Sequence, residues 1–384
     1  MYRLNEEQNE IVAKAIAVAD ESIAPHAADV DEKGRYPTES MGALGESGFL
    51  GLNVSKEYGG MGQGLRTACA VLDELAKRCP STAMIFKMHL CAIAAYEATG
   101  KAMAPYLKAA AAGAHLTTLA WSEKGSRSHF WAPVSKAEAV DGGVRVSAEK
   151  SWVTSAGHAQ GYCISTQWAQ GSAPTESMLY LMLADDAGQK VAAPWNGMGM
   201  RGNASSPMRL EGVELPADRA LSPEGKGLDV MLGIVLPWFQ LGNAAISNGI
   251  CEATVGATQR HLTAGRLEHL DATLASLPTL RARLARMRIA TDQARAHLLA
   301  TLDAAESGSP AAQLLVLESK TVGAETALRV TDMGMRACGG AAFSKHIGLD
   351  RYFRDARAAS VMAPTSDVAC EFIGRALCGM ELLG

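Results

Sequence analysis

Leu119-Ala120-Trp121-Ser122-Glu123-Lys124-Gly125-Ser126-Arg127-Ser128, followed further along by Ser151-Trp152-Val153-Thr154-Ser155-Ala156-Gly157, is the pair of segments on which the fold turns. Each reads as a strand running into a turn rich in hydroxyls, and between them lies alternation of the type Val144-Arg145-Val146-Ser147-Ala148. Two such turns at strand ends, one carrying an indole, place hydrogen-bond donors along the edge of a flat heteroaromatic ring and an apolar face against it. Ser and Thr at strand ends are also ordinary turn residues, and Trp152 read alone is equally a core residue.

Outward from these turns the periodicity changes twice. Before Leu116 apolar residues recur three or four apart in 8–29, 67–78 and 82–99, an all-helical block. From Leu116 to about Leu221 short alternating segments such as Met178-Leu179-Tyr180-Leu181-Met182-Leu183 are separated by Gly142-Gly143, Gly171-Ser172 and Asp185-Asp186, as in a small antiparallel barrel or sandwich. Helical patterns return at 227–264, 272–307 and 310–336, with a last helix opening near Thr365, the pattern of an antiparallel bundle. The chain therefore divides into a helical domain at 1–115, a β domain at 116–222 and a helical bundle at 223–384. Arg281, Arg283, Arg286, Arg288 and Arg295, with Asp292, read as one charged helix face turned to solvent or to another subunit.

Composition sets limits. A chain of 384 residues exceeds one ordinary core, and 48% hydrophobic content supplies two or three. The net charge of −4 offers no electrostatic footprint for nucleic acid or an anionic membrane. Eight cysteines are scattered without a C-x-x-C pair, and no signal peptide opens the chain, so reduced thiols, no bound metal and a cytoplasmic location are expected. No uninterrupted apolar run reaches about 18 residues, so no membrane span is expected.

Further segments stand in a telling order: Tyr58-Gly59-Gly60-Met61-Gly62, Asp73-Glu74-Leu75-Ala76, Gly197-Met198-Gly199-Met200-Arg201-Gly202, Gly212-Val213-Glu214-Leu215-Pro216, Cys338-Gly339-Gly340 and Arg351-Tyr352-Phe353-Arg354-Asp355-Ala356-Arg357. With the two turns they resemble the acyl-CoA dehydrogenase family over essentially the whole chain. The resemblance implies a mainly α fold with a β-barrel middle domain and a C-terminal four-helix bundle, FAD between the last two, and assembly as a dimer or a tetramer in which a neighbouring subunit completes the cofactor site. It implies an oxidoreductase acting on the CH–CH group of an acyl thioester, with acyl-CoA the default substrate and an electron-transfer partner or flavin reductase as redox companion. Residue by residue, it gives flavin contacts to Trp121, Ser122, Trp152 and Thr154, with Thr154 at the hydride-accepting nitrogen. Arg336, Gly339, Gly340 and Thr365 join the cofactor set, and Ser128 faces the pantetheine arm.

The chain also departs from the family. The usual Arg-x-x-Phe-Gly segment is His261-Leu262-Thr263-Ala264-Gly265, without the arginine that would meet the cofactor pyrophosphate. Arg336 stands where a glutamine is usual, and it or Arg260 is the candidate replacement cation. Where the family has the Glu-Gly-Thr triplet whose carboxylate removes the proton α to the thioester, this chain has Ala363-Pro364-Thr365. The alternative glutamate positions correspond to Val235 and Leu236, and Asp367 reads as a first-turn acid complementing a helix dipole. A carboxylate general base contributes about 10²–10⁴ in rate, so its loss bears directly on activity. The catalytic base is thus unassigned, with His89 as the imidazole candidate and His129 and His158 as lesser ones. Three readings stay open: dehydrogenation of an acyl thioester, a flavin monooxygenase, oxidase or leaving-group eliminase that dispenses with the glutamate, and a lapsed flavin-binding scaffold. Met88, Met231, Trp238 and Gln240 are readable either as pocket or as core.

Overall fold

The computed structural model describes residues 2–127 and 129–383. Its first helix, Glu6–Val18, starts from a capping box in which Asn5 and Gln8 satisfy each other's backbone N–H groups. Leu65–Arg78 has its charged residues gathered to one side, is buried on all sides from Arg66 to Asp73, and packs on the Leu236–Ala264 helix. The next helix, Pro80–Thr99, begins with proline, where the missing N–H costs nothing, and is buried along almost its whole length. It is the central element of the molecule, with strand β1 on one side and the Leu236–Ala264 helix on the other.

Strands β1 (Thr117–Ala120), β4 (Gly161–Gln167) and β5 (Ser177–Leu183) form a three-stranded sheet; β2 (Glu138–Val140), β3 (Gly143–Val153), β7 (Ser206–Pro216) and β6 (Gln189–Val191) form a four-stranded one in that order. The sheets meet where β1 packs on β3 and β5 on β7. Along Val144, Arg145 and Val146 burial alternates as expected of a strand with one wet face. Two details differ from the sequence reading. Strand β1 pairs with β4 in parallel, because the chain makes the 121–160 excursion before returning beside it. Residues Ser177 to Met182 are all buried, because the Gly227–Val230 segment and the 217–219 turn cover the second face of β5.

The bundle consists of Leu236–Ala264, Pro278–Glu306, Ala312–Cys338 and Ser366–Leu377. Helix Pro278–Glu306 starts later than its apolar pattern suggested, after a short hairpin and turn at 266–276. The Gly227–Ala264 stretch has the length and apolarity of a membrane span, but 56% of its most apolar window lies buried inside the protein. The charged face expected on Pro278–Glu306 is only partly one. Arg295 is 4% exposed and pairs with Asp73 at 3.2 Å and Glu252 at 3.0 Å, while the Tyr2 hydroxyl donates to the same Asp73 at 2.9 Å. This buried network ties the first helical block to the bundle. Six of the cysteines, at 69, 79, 91, 163, 251 and 338, are buried free thiols, and Cys370 and Cys378 are exposed.

Candidate active site between the sheets and the bundle

The register of β3 against β7 shifts between Lys150 and Val153, so Ser151 and Trp152 leave the ladder. The Ser151 N–H then donates to the Ser122 carbonyl at 2.8 Å, bringing the two turns side by side. Trp152 takes a left-handed backbone, φ +58°, which turns its indole outward to 62% exposure. Beneath the turns, Lys150 donates to the Glu123 carboxylate at 2.7 Å with both side chains essentially fully buried. The same carboxylate accepts the backbone N–H groups of Val134 at 2.6 Å and Ser135 at 2.7 Å, and the Ser135 hydroxyl. Burial works to raise the Glu123 carboxyl, but the Lys150 charge and these hydrogen bonds outweigh it and hold it below the usual carboxylate range.

A cavity of about 540 Å³ opens in front of the turns. The β domain contributes Leu119, Trp121, Ser122, Ser151, Trp152 and Thr154 to its wall. Thr154 shares a 3.1 Å hydrogen bond with Ser205, another wall residue. Trp195 and Trp152 stand nearly perpendicular with ring centroids 5.9 Å apart, and the Trp195 indole N–H donates to the Met200 carbonyl at 2.9 Å. The 197–200 loop closes the cavity against the bundle: the Met200 N–H donates to buried Asp355 at 2.6 Å, and Arg354 pairs with Asp31 at 2.8 Å. Gly199 makes this approach possible, since a Cβ there would stand 2.3 Å from the Arg354 carbonyl.

The far wall carries Met88, Met231, Val235, Leu236, Phe239, Met362 and Ala363. The three positions at which a family glutamate is expected therefore do face the cavity, and they carry only apolar side chains. Among the described residues the wall contains no carboxylate and no imidazole; its polar groups are hydroxyls, indoles, the Asn203 amide and the guanidiniums of Arg354 and Arg357. Arg357 lies over the Phe353 ring at 4.5 Å and forms no ion pair among the described residues. Neither Arg357 nor the Trp195–Ser205 loop was assigned a role by sequence reasoning, although both lie within or beside the quoted motifs.

His89 does not line the cavity. Its Nε2 donates to the Leu50 carbonyl at 2.7 Å and its Nδ1 accepts the Thr117 N–H at 3.1 Å, so the ring is neutral, fully buried and pushed down to about 4 by desolvation. His129 stacks on Trp131 and His158 on Tyr36, both away from the cavity wall. Met88 and Met231 are wall residues, whereas Trp238 and Gln240 are not. Thr365 caps the Ser366–Leu377 helix by accepting the Val368 N–H, and Asp367 sits exposed in its first turn. Arg336 is exposed and paired with Asp332 at 2.9 Å; with Gly339 and Gly340 it occupies an outer helix end rather than the cavity wall, next to Phe343 at 85% exposure. Ser128 lies outside the described residues.

A flavin ring suits the wall as built. An indole with most of its surface uncovered stands beside the Ser122, Thr154 and Ser205 hydroxyls, which is the donor set and stacking face that a tricyclic heteroaromatic needs. No group of three or more His, Cys, Asp or Glu residues among the described residues is placed to hold a metal ion.

Models of the acyl-CoA dehydrogenase N-terminal, middle and C-terminal domains match residues 5–114, 118–213 and 225–378. A probable acyl-CoA dehydrogenase of Mycobacterium leprae is 26% identical over 98% of this chain and 97% of its own. Another from Bacillus subtilis is 25% identical over 98% and 99%. Among solved structures, butyryl-CoA dehydrogenase from Megasphaera elsdenii superposes with a TM-score of 0.92 at 22% identity, covering 98% of this chain and 99% of that one.

Proposed function

The chain belongs to the acyl-CoA dehydrogenase family, and from that premise we propose that it binds an acyl thioester against FAD and turns it over without a side-chain base. It is an FAD-dependent oxidoreductase at the level of the family. The observation that carries the finer reading is the cavity wall, which can donate hydrogen bonds and stabilise negative charge but offers no residue to take a proton.

FAD, when bound, accepts a hydride equivalent; the protein's part is to place it and the substrate. Trp152 would pack beside the ring, with the Thr154 and Ser122 hydroxyls at its edge, where they donate to charge that builds on reduction. Their positions are fixed by Ser205 and by the Ser151 to Ser122 link. The thioester would lie toward Met362 and Ala363, with its acyl chain over Phe239. A simple saturated thioester in this position presents a weakly acidic α-hydrogen to a methyl group, so its dehydrogenation is slow. Arg357, free of carboxylate partners among the described residues, favours a second reading: loss of carbon dioxide from a thioester with a carboxylate on its α carbon, in which the electrons of the broken C–C bond pass to the thioester enolate, a proton from water then fills the α position, and Arg357 holds the carboxylate with no side-chain base required.

Anaerobic mixing of the FAD-loaded enzyme with acyl-CoAs tests this. Saturated acyl-CoAs should perturb the flavin spectrum on binding yet bleach it slowly. Fast bleaching by wild type would reject the base-free reading, and the absence of any spectral perturbation would reject the thioester.

The Arg336, Gly339 and Gly340 surface is proposed to reach the adenosine end of a neighbouring subunit's FAD, with exposed Phe343 inside the contact. Light scattering should then report a dimer or tetramer. A monomer that retains FAD would refute this arrangement.

A further inference from the structure

Behind the cavity floor stand two buried amino groups, of which only the second, Lys320, has an acid, Glu325, near enough to act on its charge, and neither has one in contact among the described residues. Lys87, adjacent to wall residue Met88 on the Pro80–Thr99 helix, is 1% exposed, and its Nζ has no hydrogen-bond partner among the described residues. It lies 3.7 Å from the ring centroid of Phe239, which is itself a wall residue. The next residue, Gln240, is fully buried with both amide atoms unpartnered, and Asn243 Oδ1 one turn on is unpartnered too. Lys320, from the Ala312–Cys338 helix, is near enough for its charge to oppose that of Lys87. It donates to the carbonyls of Met362, at 2.7 Å, and Pro364, which flank Ala363. Neither lysine forms an ion pair among the described residues.

The surroundings of Lys87 are otherwise neutral. Its own helix presents Cys91, and the Leu236–Ala264 helix presents Gly242 to the stem and Phe239 to the amine, with Leu72 of the Leu65–Arg78 helix beside the same Gly242. An ammonium withdrawn from water is retained only when something repays its desolvation, and one aromatic face repays little of it. A stranded cation with a single ring between it and the cavity, that ring on the same helix stretch as a buried carboxamide whose hydrogen-bonding positions are unused, makes a receptor for an anion.

We propose that Lys87 receives the charged distal end of the substrate's acyl chain, so that the preferred substrate class is an acyl thioester carrying a second, terminal carboxylate. The chain enters tail first, the Phe239 ring turns aside, and the carboxylate meets Nζ and the Gln240 amide. This assignment rests on the reading that the cavity takes an acyl thioester.

Adipyl-CoA and hexanoyl-CoA share a chain length and differ in the terminal carboxylate, so titrating FAD-loaded enzyme with each isolates the contact. Wild type should bind adipyl-CoA about tenfold to a hundredfold more tightly, the worth of one charge-assisted hydrogen bond. Lys87→Met should reverse the preference and Lys87→Arg should keep it. Equal affinities in wild type, or an unchanged preference in Lys87→Met, overturn the assignment and leave the thioester reading standing; binding of neither thioester removes both.

A second readout is the stability of ligand-free protein. Burial pushes Lys87 down to about 8 from its ordinary 10.5. A lysine with a lowered pKa in the fold destabilises it fully below the folded value, and the penalty fades as pH climbs toward the unfolded one. Lys87→Met should therefore melt above wild type at pH 7, with the gap closing between about 8 and 10.5. A lower melting point at pH 7 would make Lys87 a structural residue and overturn the receptor role.

Discussion

A Lys150→Met variant will unfold about 3–5 kcal/mol more easily than wild type, the cost of stranding a buried charge by removing its partner. Glu123 is left behind with its side chain 2% exposed. Its carboxylate keeps the N–H groups of Val134 and Ser135 and the Ser135 hydroxyl but loses the only cation within reach among the described residues. Lys150 also donates to the Ser165 carbonyl of β4, so the substitution unfastens β3 from the neighbouring sheet as well as from the 123–135 loop. That loop begins at Ser122, whose carbonyl holds Ser151, so the hydroxyls that face the cavity lose their setting and FAD retention falls with stability. The double variant Glu123→Gln, Lys150→Met should recover much of the loss, because no charge remains unpaired. Urea titration of the three proteins checks both statements. The acid limb adds a sign. Glu123 has a folded pKa below its ordinary 4.5, so its contribution is present above that value and lost as pH falls through the folded one. In Lys150→Met that acid dependence should shrink. Lys150→Met as stable as wild type would show that the pair is not what holds the two turns together.

What could be read in advance follows the range of the interactions involved. The pairing of the 119–128 and 151–157 turns was legible because strand alternation, hydroxyls and the indole are local signals at strand ends. The same holds for Val235, Leu236 and Ala363, which reach the wall by simple register with known motifs. His89 misled because its partners, Leu50 and Thr117, lie 39 and 28 residues away, and a histidine in an apolar helix shows nothing of them. Arg295 looked solvated for the same reason: its partner Asp73 is 222 residues distant. The helix start at Thr365 was legible for the same local reason as the turns, since Thr365-Ser366-Asp367 before an apolar run is a start signal, and Thr365 does accept the Val368 N–H. Lys87 went unnoticed because a single lysine among Met84, Ile85, Phe86 and Met88 reads as a stem lying on apolar surface with its head in water. Only the packing of three helices around it shows that the amine has no route to solvent.

Ala363→Glu is expected to raise the rate of flavin bleaching by saturated acyl-CoAs by about 10²–10⁴, the usual contribution of a positioned general base. Ala363 is on the cavity wall, and Lys320 grips the carbonyls on either side of it, so the backbone that would carry the new carboxylate is already held. The pocket supplies what such a group needs: apolar neighbours in Met362, Val235 and Leu236 to keep it dry, and Arg357 on the same wall to favour its charged form. Hydroxyls and indoles across the cavity remain unaltered, so the change isolates the proton-accepting step from cofactor and substrate placement. If bleaching quickens while FAD content and acyl-CoA affinity stay at wild-type values, the native cavity binds thioesters and lacks only the base. The reaction it has kept is then one in which no α-proton must be taken by a side chain. If the glutamate variant binds FAD normally and still leaves every acyl-CoA untouched, thioesters are not its substrates. The unpaired Arg357 and Lys87 would then have to be explained by an anion of a different kind.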